Sequence, residues 1–283
     1  MAFKIRVEDR VPTYPGRITL TPVSGSDGTY DMVRADMPIA EGTPINKALF
    51  DHKADALVED VTVYVTSTGS DLDGDGTLDS PFKTIQAAID ALPKNLNGYT
   101  ATVDVEIGTY NENVVCRGFI GGKLIVGLNN RLVTIQSIEF DNCTFAVMNI
   151  NRITAPSGAT FTPLKVTNGS HVHLSRSIII DGASSAVSGL SATYNSSVSS
   201  INGVTITSNN CGGSAIVATN GSTVALYTIA GSNNFAGMYA SVGGVITYET
   251  GSIESFLGDE SSGGGRIWTG GSTSVLSVAS VEE

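Results

Sequence analysis

Charge is what this chain has least of. Only 15% of its 283 residues are Asp, Glu, Lys or Arg, and none of these, nor any His, occurs between Gly182 and Tyr248. Cleaving a polysaccharide requires placed carboxylates or a carboxylate with a base, and that long span offers neither. There are three cysteines, Cys116, Cys143 and Cys211, widely separated and without a Cys-x-x-Cys pair. They read as small buried apolar side chains rather than a zinc or dithiol centre. Apolar runs are too short to cross a bilayer, and Lys4, Arg6, Glu8, Asp9 and Arg10 put charge where a secretory leader needs an apolar core. Neither membrane insertion nor a signal peptide is therefore expected. A formal net charge of −11 repels nucleic acid and anionic lipid, so no nucleic-acid partner is expected either.

Turn residues, in contrast, are abundant and regularly placed. Glycine alone numbers 32. Turn-forming pairs return at Asn142-Cys143, Asn168-Gly169, Asn195-Ser196, Asn220-Gly221 and Gly243-Gly244, at intervals of 26, 27, 25 and 23 residues. Between them lie short β-prone runs such as Leu164-Lys165-Val166, His171-Val172-His173-Leu174, Ile178-Ile179-Ile180 and Val204-Thr205-Ile206-Thr207. A period in the twenties, with strand and turn alternating inside each repeat, predicts an all-β solenoid, a parallel β-helix. Asn and Gly suit its corners because they tolerate positive φ. The same chemistry accounts for the Asn-x-Ser/Thr patterns at these positions without invoking glycosylation.

Along the chain the spacing predicts four parts. Residues 1–50 form a small irregular module with a strand over 3–7, and apolar spacing predicts a short amphipathic helix over 44–59. Residues 51–112 hold a strand at 61–66, an acidic loop, a helix over 81–92 with Ser80 as its cap and Pro81 at its first position, and a strand at 102–107. The helix would serve as the N-terminal cap of the solenoid. Residues 113–257 carry the rungs. Residues 258–283, with the only Trp, Trp268, form a C-terminal cap or an oligomerisation tail.

Two stretches resemble known families. Pro15-Gly16-Arg17-Ile18-Thr19-Leu20-Thr21-Pro22-Val23, with Tyr30–Asp36 and Glu41–Lys47, resembles the N-terminal module of phage and prophage tail-fibre proteins. That resemblance implies attachment to other virion tail or baseplate proteins, and hence residence in a virion tail after synthesis in the host cytoplasm. Pro81–Asp90 followed by Val105–Val114 is similar to the opening of the pectin-lyase-like superfamily, which includes pectinesterases and many tailspikes. It implies a right-handed β-helix whose open end the helix over 81–92 covers, while the uncharged span between Gly182 and Tyr248 suits packing against identical subunits around a threefold axis, a homotrimer. The downstream catalytic Gln, Asp, Asp and Arg motifs of pectinesterases have no counterpart here.

Candidate site residues fall into three groups. Asp71, Asp73, Asp75, Thr77 and Asp79 space their oxygens like part of a calcium loop with Gly76 at the turn, although Phe82 stands where the bidentate acid belongs. No cofactor is required, so Ca2+ is an expectation set against a solvated acidic turn. For catalysis the weak candidates are Glu139, Asp141 and Asp181, with Glu249, Glu254 and Arg176 as lesser ones. For ligand binding, His171 and His173 share one strand face, and Tyr194, Tyr227 and Tyr239 offer aromatic rings on a neutral Ser/Thr/Asn wall that also includes Phe235 and Tyr248. The expected function is a receptor-binding tail appendage that recognises a bacterial surface polysaccharide, the alternative being a tailspike depolymerase.

Overall fold

In a computed structural model of the chain, the described residues are 56–128, 131–184 and 188–269, together with the backbone of four short strands nearer the N-terminus. Residues 3–54 form one compact unit, and residues 55–283 belong to another. In the first unit, β1 (Val11–Pro12) pairs antiparallel with β4 (Pro38–Ala40), and β2 (Ile18–Pro22) pairs antiparallel with β3 (Tyr30–Arg34). The expected strand over 3–7 and most of the helix over 44–59 lie outside the described residues. Ala56, at that helix's far end, instead bridges Asn95 in parallel fashion.

The second unit is a parallel β-solenoid of about seven turns. It begins with β5 (Val61–Val65), the helix α1 (Ile85–Ala91), β6 (Thr100–Val105) and β7 (Gly108–Arg117). The next turn holds β8 (Lys123–Val126) and β9 (Val133–Asp141), followed by β10 (Ala146–Met148), β11 (Arg152–Thr154) and β12 (Leu164–Thr167). Then come β13 (His171–Leu174), β14 (Ile178–Asp181) and β15 (Leu190–Ala192), and after them β16 (Ser197–Ser200), β17 (Thr205–Asn209) and β18 (Ser214–Thr219). The last turns hold β19 (Thr223–Asn234), β20 (Ala236–Ser241), β21 (Val245–Ser255), β22 (Glu260–Ser261) and β23 (Arg266–Thr269). The rungs therefore persist past Gly243 to Thr269.

Strands stack into three faces. The first runs from β5 through β6, β8, β10, β13, β16, β19 and β21 to β23. The second stacks β7, β9, β11, β14, β17, β19 and β21, and the third β7, β9, β12, β15, β18, β20 and β22. Four long strands, β7, β9, β19 and β21, bend around a corner and so serve two faces. Alternate residues point inward, and the register superimposes like on like. Leu124, Ala146, Val172, Val198, Val224 and Ile246 make one column. Val114, Ile138, Leu164, Leu190, Ile216 and Met238 make another, and all of both columns are buried. Each Val, Leu, Ile or Met among them contributes roughly 1.5–3 kcal/mol by leaving water.

The corner between the third and first faces explains the repeat. Its two left-handed positions are Asn168-Gly169, Tyr194-Asn195, Asn220-Gly221, Val242-Gly243 and Gly263-Gly264. Asn168 and Asn220 therefore share a column, with Tyr194 between them, and Asn195 stands one position along with Gly169 and Gly221. The ladder confirms the phase: Gly169 N–H donates to Tyr194 O (2.9 Å), Asn195 N–H to Asn220 O (2.9 Å), and Gly221 N–H to Val242 O (3.0 Å). Aligning the rungs on asparagine alone misplaces the middle one by a residue. Just inside the corner, Ser170, Ser196 and Ser222 are buried, and the Ser170 and Ser222 hydroxyls accept from Cys143 N–H (3.0 Å) and Ser196 N–H (3.1 Å).

Left-handed backbone costs an ordinary side chain about 1–2 kcal/mol, and Asn less. Asn168→Ala should therefore lower stability by about 1–2 kcal/mol, and Tyr194→Asn should raise it by about 1 kcal/mol. Urea unfolding midpoints measured on both variants check the pair of signs.

At the N-terminal end, α1 starts later than its sequence suggested. Phe82 is buried and sits in a parallel bridge with Val65, its N–H donating to Tyr64 O at 2.9 Å. Pairing with β5 wins over helix there, so Thr84 rather than Ser80 caps the helix, its hydroxyl accepting from Ala87 N–H at 3.1 Å. The acidic loop packs along the same strand edge, with Tyr64 N–H donating to Gly76 O at 2.8 Å.

Candidate functional site

The third face carries a groove on its outer side. Two open hollows, of about 630 Å³ and about 430 Å³, lie side by side and share Asn113 and Val115 in their walls. The strands set its floor by register. Asn113 lies beside Ser137, and Val115, Glu139 and Lys165 form one outward column across three rungs. The Ser137 hydroxyl donates to Asn113 Oδ1 at 2.8 Å, and Lys165 Nζ is 3.0 Å from Glu139 Oε1. Phe161 rises on one side from the loop between β11 and β12, partly buried against Ala155 and Ala159.

Helix α1 forms the other wall. Gln86 takes the place of a missing strand beneath β7: its Oε1 accepts from Val115 N–H (2.7 Å), and its Nε2 donates to Val115 O (3.2 Å) and Asp90 Oδ1 (2.9 Å). Glu112 fixes the start of the helix, accepting from Ile85 N–H at 2.9 Å and Gln86 N–H at 3.0 Å. Lys94 reaches back to donate to Ile89 O at 3.0 Å and lies 4.0 Å above the Phe119 ring. Burial holds its ammonium below the usual lysine range. Arg117 closes the groove, bonded through Nε to Asp141 Oδ2 at 2.6 Å. The result is a trough of amides, hydroxyls and mixed charges with one aromatic ring at its rim.

The residues singled out from sequence are distributed differently. Glu139 lines the groove. Asp141 stands at its end, where the Asn168 side-chain amide (2.7 Å) and Arg117 hold its carboxyl below the ordinary range. Asp181 lies at the end of β14 on the second face, accepting from Ala183 N–H and Asn210 Nδ2. The structure thus separates Asp181 from the other two by a corner. His171 and His173 point outward from the first face, their Nδ1 atoms 2.7 Å and 3.0 Å from the hydroxyls of Ser197 and Ser199 in the next rung. Tyr194 and Tyr227 occupy two different corners, and Tyr239 lies outward on the third face near Ser262. These rings form no single platform. Phe235 instead stacks on Phe256, ring centres 6.2 Å apart.

In the acidic loop, Asp71 accepts from Lys83 N–H (2.8 Å), Thr84 N–H (2.9 Å) and the Thr84 hydroxyl (2.9 Å), and Asp75 from Thr77 N–H (2.9 Å) and its hydroxyl (2.7 Å). Those carboxylates fasten the loop to itself and to the helix start. No group of three or more His, Cys, Asp or Glu side chains is arranged to hold a metal ion among the described residues.

The sequence does not single out Phe161, Lys165, Asn113, Ser137, Arg117 or Gln86 as binding residues. One signal was available: Glu139 and Lys165 are 165−139=26 residues apart, Asp141 and Arg117 141−117=24, and Asp104 and Arg131 131−104=27. Opposite charges one rung apart mark neighbours on an outer face, and the third of these is also a salt bridge, at 3.0 Å. Compared with protein families, with curated proteins and with solved structures, the chain gives no match.

Proposed function

We propose that this chain is a receptor-binding appendage of a phage or prophage tail, a homotrimer that holds a bacterial surface polysaccharide in the groove of the third face. The observation that carries this reading is the groove itself. An elongated trough that offers amides, hydroxyls, paired charges and an aromatic edge has the mix of groups that binds sugar hydroxyls and one apolar sugar face. A rigid solenoid supports it, because each rung fixes the next through main-chain hydrogen bonds. The tail assignment and its attachment to virion proteins rest on the resemblance of the first fifty residues to tail-fibre modules. The trimer fits the uncharged wall between Gly182 and Tyr248, since interface cores are depleted of charge.

Binding fits the groove better than cleavage does. A glycosidase needs one carboxyl kept protonated beside a second carboxylate. Glu139 is ion-paired with Lys165, and Asp141 is held ionised by Asn168 and Arg117. The carboxyls that burial pushes upward are committed elsewhere: Glu112 to the helix start, Asp104 to Arg131, and Asp259 to Met238 N–H.

The test is binding of the purified chain to host-surface polysaccharides. Phe161→Ala and Lys165→Ala should each weaken binding about tenfold, and Tyr194→Ala, outside the groove, should leave it unchanged. Full affinity in both groove variants would overturn the assignment. Release of reducing ends, abolished by Asp141→Asn, would establish the depolymerase instead. A solution mass equal to one chain would remove the trimer.

A further inference from the structure

The chain contains four Asn-Gly pairs: Asn97-Gly98, Asn168-Gly169, Asn202-Gly203 and Asn220-Gly221. This dipeptide is the one most prone to spontaneous deamidation, because the unhindered glycine nitrogen can attack the asparagine side-chain carbonyl. The fold treats the four unequally. Gly98 N–H donates to Gly121 O, Gly169 N–H to Tyr194 O at 2.9 Å, and Gly221 N–H to Val242 O at 3.0 Å. In each of these three the attacking nitrogen is held in a main-chain hydrogen bond. All three side chains are held as well, Asn97 Nδ2 on Leu57 O at 3.0 Å, Asn168 Nδ2 on Asp141 Oδ1 at 2.7 Å and Asn220 Nδ2 on the Thr219 hydroxyl at 3.5 Å.

The fourth pair differs. Asn202 and Gly203 are both exposed, in a tight turn closed by Val204 N–H to Ile201 O at 3.1 Å. Neither the Gly203 N–H nor the Asn202 side chain has a hydrogen-bond partner among the described residues, and nothing lies within 4 Å of the position a Gly203 Cβ would take. We infer that Asn202 is a self-modifying site, the one Asn-Gly pair that the folded solenoid leaves free to become aspartate and isoaspartate.

The step balances without an oxidant. The deprotonated Gly203 nitrogen forms a bond to Cγ of Asn202, the Cγ–NH2 bond breaks, and ammonia leaves with the proton. Water then opens the succinimide at either carbonyl, giving Asp or its backbone-lengthened isomer. The product carries the only charge between Gly182 and Tyr248 and takes the formal net charge from −11 to −11−1=−12. An interface or ligand surface built on that neutral wall would acquire a charge with age.

The experiment incubates the full folded chain in warm, mildly alkaline buffer and follows each pair by peptide mass mapping. Asn202 should convert at least about tenfold faster than Asn97, Asn168 and Asn220, because their reaction needs the rung hydrogen bond opened first. In urea the four rates should converge, and Gly203→Ala should slow conversion at Asn202 alone. Equal rates in the folded chain, or a lead by Asn168 or Asn220, would overturn the inference. Persistence of the folded-state ranking in urea would also overturn it, since protection would then not come from the fold.

Discussion

Phe140→Ala should lower the unfolding free energy by about 3–5 kcal/mol, the largest loss expected from any single truncation considered. Phe140 is fully buried and stands in an inward column of the third face between Cys116 and Val166. The column continues through Ala192, Ala218 and Ala240. One large ring thus stands between Cys116 and Val166 with alanines only beyond them, so truncation leaves a hole that these two smaller side chains cannot fill. Rungs hold only their neighbours, and a weak rung interrupts the stack. Guanidinium unfolding should show the midpoint fall and the transition broaden. A loss under about 1 kcal/mol would mean that the core collapses around the gap.

Glu112→Ala should cost about 2–3 kcal/mol, since it deletes two hydrogen bonds to an ionisable acceptor and leaves two N–H groups at the helix start unpaired. It should also loosen Gln86, whose amide covers the open edge of β7 at Val115. The effect depends on pH. Desolvation is the largest influence on the Glu112 carboxyl and raises it above the ordinary range, the two N–H donors oppose it, and Asp71 adds a small push upward. A carboxyl raised on folding favours the folded state while protonated, and that contribution is lost as pH rises through its folded value. The stability advantage of the parent chain over Glu112→Gln should therefore shrink as pH climbs through and above the normal glutamate range. A growing advantage would show that the two N–H bonds dominate burial. Asp104 and Asp259 are raised in the same sense and act in both chains alike, so the difference isolates Glu112.

Much of the solenoid was readable because its information is local and repeats. Asn and Gly at positive φ, with short β-branched runs between them, specify strand, corner and strand without long-range knowledge. The phase of the middle corner was not readable, because Tyr194 takes a left-handed position where the pattern suggested Asn195. Once the flanking strands are hydrogen-bonded in register, the corner residue adopts the backbone they dictate. The helix start was missed for a similar reason: local signals favour Ser80 and Pro81, but Phe82 gains more by burial beside Val65 than by joining the helix.

Sequence alone determined the stacked all-β architecture, the reduced titratable chemistry of its later rungs and the burial of its three cysteines, since each follows from residue type and period. The groove was decided only by the tertiary structure. Its members Gln86, Asn113, Glu139, Phe161 and Lys165 come from a helix, three successive rungs and a corner loop. What brings them side by side is the pitch of the solenoid, a distance that exists only once the chain has wound around itself.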